Sequence, residues 1–245
     1  MSKYRSGPVP KALKVVPIIS YWKECLSIMD PLNWSAASLK KVSKYFVASA
    51  KPHVCFEFFS KILLPRARDD ISEYDRLNFH IFNALCIATH KPSVFFRAIV
   101  FPLCLDKDCC LKEAVIFSSI LSRCSFPAIH AAVAIAKIAS FPHSTCSSIF
   151  IKIFLQKRYA MPNRALDILL DHFLREKNNS SLLPLIWHQG LLIFVQNYTN
   201  YFNELKKKGN FRINQISTSL LYFTHYFFAS YELCFSWDYF VKIIT

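Results

Sequence analysis

Glycine is nearly absent. Three occur in 245 residues (Gly7, Gly190 and Gly209), where average usage of about 7% would supply about seventeen. Tight hairpins and glycine-rich phosphate loops need residues free to adopt positive φ, so P-loop, Rossmann and most all-β architectures are excluded at the outset. Acidic residues are scarce as well: sixteen Asp and Glu face thirty Lys and Arg, a net charge of +14. An excess of that size favours an anionic partner such as nucleic acid or an anionic membrane surface. Long apolar runs are also missing. The uncharged run Val15 to Trp22 is short and holds Pro17, which does not fit a signal peptide. The stretch from Asn178 to Asn203 lacks formal charge but is interrupted by Pro184, His188, Gln189 and Asn197, so a buried helix is expected there and no membrane span.

The nine cysteines are odd in number and include no C-x-x-C pair. Reduced thiols inside a cell are expected. Cys104, Cys109 and Cys110 cluster without a histidine at finger spacing, so no metal site is assigned. G-x-S-x-G and H-E-x-x-H are absent, and no catalytic residue is assigned. His188 beside Trp187 reads as a core or groove histidine, and His80 and His130 lie within apolar helical pattern in the same way.

What remains is a chain that folds. Apolar residues make up 53% and charged residues 19%, enough for a large core in one domain. Prolines punctuate segments of helical periodicity. Helices are expected near 35–50, 70–90, 93–101, 110–124, 127–140, 144–158, 163–175 and 184–205. In the first, Leu39, Val42 and Phe46 form an apolar stripe while Lys40, Lys41 and Lys44 point elsewhere. Asp70 and Glu73 have capping-box spacing ahead of Ile71, Tyr74, Leu77, Ile81 and Leu85. Arg164, Asp167, Asp171 and Arg175 share one face and are expected to form an exposed ion-pair ladder. Pro65, Pro102, Pro142 and Pro184 recur near the period of paired-helix repeats, so the fold expected is all-α and repeat-like, an α-solenoid or HEAT-like arrangement.

Half of the net charge lies in residues 1–51, where nine basic residues meet only Glu24 and Asp30. A second dense segment is Leu64-Pro65-Arg66-Ala67-Arg68-Asp69-Asp70-Ile71. Its aspartates suit free backbone N–H groups at a helix start, with Arg66 and Arg68 pairing to them or to a neighbouring element; the same arginines can instead hold phosphate.

At these residues the chain resembles the bystin family. The resemblance rests on Ser2-Lys3-Tyr4-Arg5-Ser6-Gly7 with Pro10-Lys11, on Leu63-Leu64-Pro65-Arg66-Ala67-Arg68-Asp69-Asp70, and on Arg76-Leu77-Asn78-Phe79-His80. It continues in Cys124-Ser125-Phe126-Pro127, in Tyr159-Ala160-Met161-Pro162 with Arg164, and in Leu185-Ile186-Trp187-His188-Gln189. It spans Ser2 to Phe202. It implies a non-catalytic ribosome biogenesis factor without cofactors, active in the nucleus and nucleolus and shuttling to the cytoplasm with small-subunit precursors. The implied partners are pre-rRNA of the small subunit, snoRNA, ribosomal proteins near the subunit head and other assembly factors, with the protein monomeric in the particle and no membrane partner. Contact candidates are Lys3, Arg5, Lys11, Lys14, Lys40, Lys41, Lys44, Arg66 and Arg68, with Trp187 and His188 in a groove.

Residues 1–205 are taken as the bystin-like helical domain and 206–245 as a divergent tail. The start lies inside the family pattern, and the tail differs from the family's leucine-rich, charged C-terminal helices; a truncated reading with a tail not native to the family is the expectation. Eleven of the last forty residues are aromatic, which raises a different class, a membrane-surface helical protein using that tail. An RNA-processing enzyme is the third class and requires carboxylates or histidines converging in a cleft.

Overall fold

In the computed structural model, residues 1–177 and 184–207 are described. The expectations for residues 208–245 lie outside them. All-α architecture is observed, with no strand among the described residues. The helices gather into two compact units, Met1–His130 and Ala131–Thr245.

The first unit begins with Tyr4, whose hydroxyl donates to the Gly7 carbonyl at 2.6 Å. Gly7 turns the chain at φ +105°, a conformation that a side chain would strain. Short helical pieces follow: α1 (Ala12–Val15), a 3-10 turn and α2 (Trp22–Met29). Ser35 accepts from the Ser38 N–H and starts α3 (Ala36–Ser49). The periodic residues Leu39, Val42 and Phe46 are buried, and the helix packs along α6 (Phe79–Ala88), which buries Ile81 and Leu85. Burying a large apolar side chain contributes roughly 1.5–3 kcal/mol, and Phe46 also stacks on Phe58 with ring centroids 4.1 Å apart.

Two helices in this unit pass through a proline without ending. In the first, α4 (Pro52–Phe58) continues through a π turn (Phe59–Leu63) into α5 (Leu64–Tyr74); in the second, α7 (Pro92–Phe95) continues through Phe96–Val100 into α8 (Phe101–Leu105). Each π turn ends just before a proline, Pro65 or Pro102, and is closed by an i to i−5 bond, Leu64 N–H to Phe59 O and Phe101 N–H to Phe96 O. A proline has no N–H and collides with the carbonyl four residues back. Widening the preceding turn moves that carbonyl aside. The helix expected at 93–101 therefore runs on to Leu105.

The helix expected at 70–90 is two helices. Asp75 stops α5 in the left-handed conformation at φ 58°, and Asn78 starts α6 by accepting from the His80 N–H. Asp70 does not cap its own helix: it lies inside α5, 5% exposed, and its Oδ2 accepts the Asn78 N–H. The expected stripe is interrupted with it: Ile71, Ile81 and Leu85 are buried, but Tyr74 is 55% exposed and Leu77 lies between the two helices.

Then α9 (Leu111–Arg123) starts with the Cys110 thiol accepting the Glu113 N–H at 3.4 Å. α10 (Ala128–Ala139), α11 (Thr145–Gln156) and α12 (Asn163–Lys177) fall where expected. The helix expected at 184–205 divides into α13 (Leu185–Asn197) and α14 (Thr199–Lys207). In the second unit α11 packs on α13, around Phe173, Trp187, Phe194 and Phe202, with Phe194 centroids 5.7 Å from Phe173 and 5.1 Å from Phe202. On α12, Asp167 accepts from the Tyr201 hydroxyl, and Arg175 donates to the carbonyls of Ala139 and Phe141. Helix lengths from four to fifteen residues, with π turns in two of them, lend no support to a regular repeated pair.

No single helix among the described residues is long and apolar enough to cross a membrane.

Candidate nucleic-acid interface

The N-terminal segment is tied to the start of α3. Ser35 donates its hydroxyl to the Tyr4 carbonyl at 2.6 Å, which brings Lys3 and Arg5 near that helix, and both are exposed. Farther along, Lys14 lies over the Tyr45 ring, 5.8 Å from its centroid, and joins α1 to α3. Lys40 lies at the same distance over Phe79, the first residue of α6. Lys11, Lys41 and Lys44 are exposed. None of these seven cations forms an ion pair among the described residues. The spacing 40, 41, 44 places three of them along one side of α3.

Lys23 shows the contrast. It pairs with Glu57 at 2.7 Å, and Lys61 reaches the same carboxylate at 3.1 Å. The hydrogen bonds from Lys23 and Lys61 hold the Glu57 carboxyl below its ordinary range.

Arg66 and Arg68 separate. The Arg68 guanidinium donates to both oxygens of Glu113, with Nη2 to Oε2 at 3.2 Å, and also pairs with Asp106. Glu113 is buried on α9, and its hydrogen bonds raise the arginine's pKa still further. Asp106 is held below its ordinary range by the Asp108 N–H first and Arg68 second. Arg68 is thus a clamp from α5 to the start of α9 and not a free phosphate contact. Arg66 is partly exposed, makes no ion pair among the described residues, and leaves its buried Nε without a hydrogen-bond partner. Of the two pairings expected for these arginines, Arg68 makes the one to a neighbouring element, and the one to Asp69 and Asp70 is not made among the described residues.

Trp187 and His188 lie in the second unit. Trp187 is 2% exposed, its Nε1 has no hydrogen-bond partner, and its ring meets Phe173 edge-on at 5.4 Å. His188 is half-buried, and burial lowers its pKa from 6.5. The Tyr198 hydroxyl, donating to the Tyr159 carbonyl at 2.9 Å, is pushed up to about 12 by burial.

Sequence reasoning missed three features. Glu113 gave no local signal, being 45 residues from its arginine. Lys91 donates to the Ala50 carbonyl and to the Cys55 thiol, and burial raises the pKa of that thiol. Cys86 on α6 hydrogen-bonds Cys124 at the end of α9, which raises the Cys86 pKa. Among the described residues no three His, Cys, Asp or Glu side chains come together as metal ligands do.

These observations define a class, an all-helical protein with an exposed, unneutralised basic edge. The chain belongs to the bystin family, whose sequence profile matches residues 1–215. It is 43% identical over 198 residues to bystin of Homo sapiens, covering 81% of this chain and 45% of that protein. To bystin of Drosophila melanogaster it is 41% identical over 222 residues (87% of this chain, 51% of the relative). To bystin of Monosiga brevicollis it is 43% identical over 209 residues (85% and 50%). The chain spans about half the length of the curated relatives it matches. None of these three relatives carries an enzyme's name.

Proposed function

We propose that this chain is a non-catalytic ribosome biogenesis factor that binds small-subunit precursor particles in the nucleolus and supports pre-rRNA processing and subunit maturation. Its partners are small-subunit pre-rRNA, ribosomal proteins near the subunit head and other assembly factors, and it accompanies the particle to the cytoplasm. Family membership supports this, and one observation carries the RNA contact: the seven cations of the N-terminal strip and α3 pair with no carboxylate among the described residues. Phosphates supply that neutralisation and release counterions, which gives affinity without reading sequence.

The test is affinity for small-subunit rRNA measured against salt concentration, for the natural chain and for Lys40→Glu, Lys41→Glu, Lys44→Glu combined. Each lost phosphate contact lowers the slope by about one, so the triple variant should lose about three. Parallel slopes would place the RNA contact elsewhere, and unchanged association with precursor particles as well would remove this face from function.

A further inference from the structure

The turn from α5 to α6 is held more firmly than a surface connection requires, and it presents an aromatic ring to water. Asp70, buried on α5, accepts the Asn78 N–H. Asn78 in turn accepts the His80 N–H at 2.9 Å. Lys112 on α9 donates to Asp75 at 2.7 Å. Three contacts thus fix a turn of a few residues. Phe79, next in the chain, is nevertheless 67% exposed. One neighbour is His80, edge-on at 5.8 Å between centroids, and another is the ammonium of Lys40. Arg76, exposed in the same turn, makes no ion pair among the described residues. Lys41 and Lys44 continue the positive charge from Lys40 along α3, which packs on α6.

An exposed phenylalanine is by itself ordinary. This one stands on a hydrogen-bonded turn beside cations that pair with no carboxylate among the described residues, and that combination matches what a single-stranded nucleotide requires. The base stacks on a ring, and cations beside the ring take the flanking phosphates. A duplex cannot use the ring, because its bases are already stacked on one another. We infer that Phe79 is a base-stacking platform for single-stranded RNA, with Lys40, Lys41, Lys44 and Arg76 holding the phosphates on either side.

This rests on the RNA binding proposed above and names the form of RNA that this part of the surface takes. The fixed turn also supplies preorganisation: the ring is in place before RNA arrives, so little side-chain ordering is lost on binding.

The probe is a fluorescent oligouridine, compared with an RNA duplex of equal length, bound to the full chain. Phe79→Ala should weaken oligouridine binding about tenfold, leave its salt slope unchanged because no phosphate contact is removed, and leave duplex binding unchanged. Phe79→Tyr keeps a stacking face and should bind oligouridine like the natural chain. In 5-bromouridine photocrosslinking the adduct should map to Phe79. An unchanged thermal melt of Phe79→Ala shows that the fold is intact, as expected for an exposed side chain.

Equal oligouridine affinity for Phe79→Ala and the natural chain overturns the platform while leaving RNA binding by the basic edge standing. So does an equal loss on the duplex. Loss of precursor-particle association by Phe79→Ala with oligouridine binding intact assigns the ring to a protein partner and overturns the inference too. If the natural chain binds neither RNA, the proposed function falls together with it.

Discussion

Arg66 and Arg68 stand two residues apart on one helix and meet opposite surroundings. Arg68 turns toward α9, where a buried glutamate and a partly exposed aspartate surround its guanidinium. Arg66 has no carboxylate among the described residues. The contrast extends to the two regions they represent. Between α5 and α9, charge is matched within the protein and joins elements distant in sequence. Along α3 and the N-terminal strip, charge is left unmatched among the described residues. A cation already satisfied inside the fold has little left to give an anion, whereas one without a partner carries its charge to the surface. Positive charge in a sequence therefore becomes a functional signal only after the internal pairs are subtracted, and the subtraction needs tertiary structure.

The comparison breaks most sharply at Glu113. Glu113→Ala removes the buried partner of the Arg68 guanidinium, leaves it only the partly exposed Asp106, and should destabilise the fold by about 2 kcal/mol, seen as an earlier urea midpoint. Pairing it with Arg68→Met should restore most of that loss, because both charges are then gone. If Glu113→Ala melts like the natural chain, the clamp is not structural.

Next comes Asp70. Asp70→Ala should cost about 1–2 kcal/mol by leaving the Asn78 N–H without its acceptor. Hydrogen exchange should quicken at Asn78 and neighbouring amides of the turn, with the interior of α5 unaffected. Faster exchange at the start of α5 instead would return the aspartate to a capping role there.

A smaller effect tests the second unit. Burial depresses the His188 pKa below 6.5, so the folded chain binds fewer protons than the unfolded chain below that pH. Stability is full above pH 6.5 and declines as pH falls through the depressed value. The melting temperature should fall between pH 7.5 and 5, and His188→Gln should flatten that decline. A slope unchanged in the variant would assign it to other groups.

The smallest effect belongs to the basic edge. The triple Lys40→Glu, Lys41→Glu, Lys44→Glu variant should stay within about 0.5 kcal/mol of the natural chain, since exposed unpaired side chains contribute little to folding. A large loss would show that these lysines serve the fold and would erase the contrast with Arg68.

Much of the helical layout was legible. Leu39, Val42 and Phe46 report the buried face of α3 by spacing alone, and α9, α10 and α11 begin and end close to their expected positions. The break at Asp75 was not read, although Asn78 is an N-cap residue type and Asp tolerates positive φ. Its apolar spacing ran on undisturbed. Pro65 and Pro102 looked like stops because sequence shows the missing N–H but not the π turn that accommodates it. For the interface, the exposed lysines were legible as an excess without nearby acids. The fate of Arg68 was not, because Glu113 acts across 45 residues and local pattern carries no information at that range.

The two π turns have a further consequence, for helical phase. One added residue would advance an α-helix by about 100°, but a turn closed over five residues takes that residue up and hands the helix on in phase. Arg68 and Asp70 therefore keep the faces of α5 that meet α9 and Asn78. A one-residue deletion between Phe59 and Leu63 would close the turn to ordinary α geometry and bring the Pro65 ring back against the carbonyl four residues before it. The extra residue is thus a spacer that lets one helix carry a proline and still present both side chains.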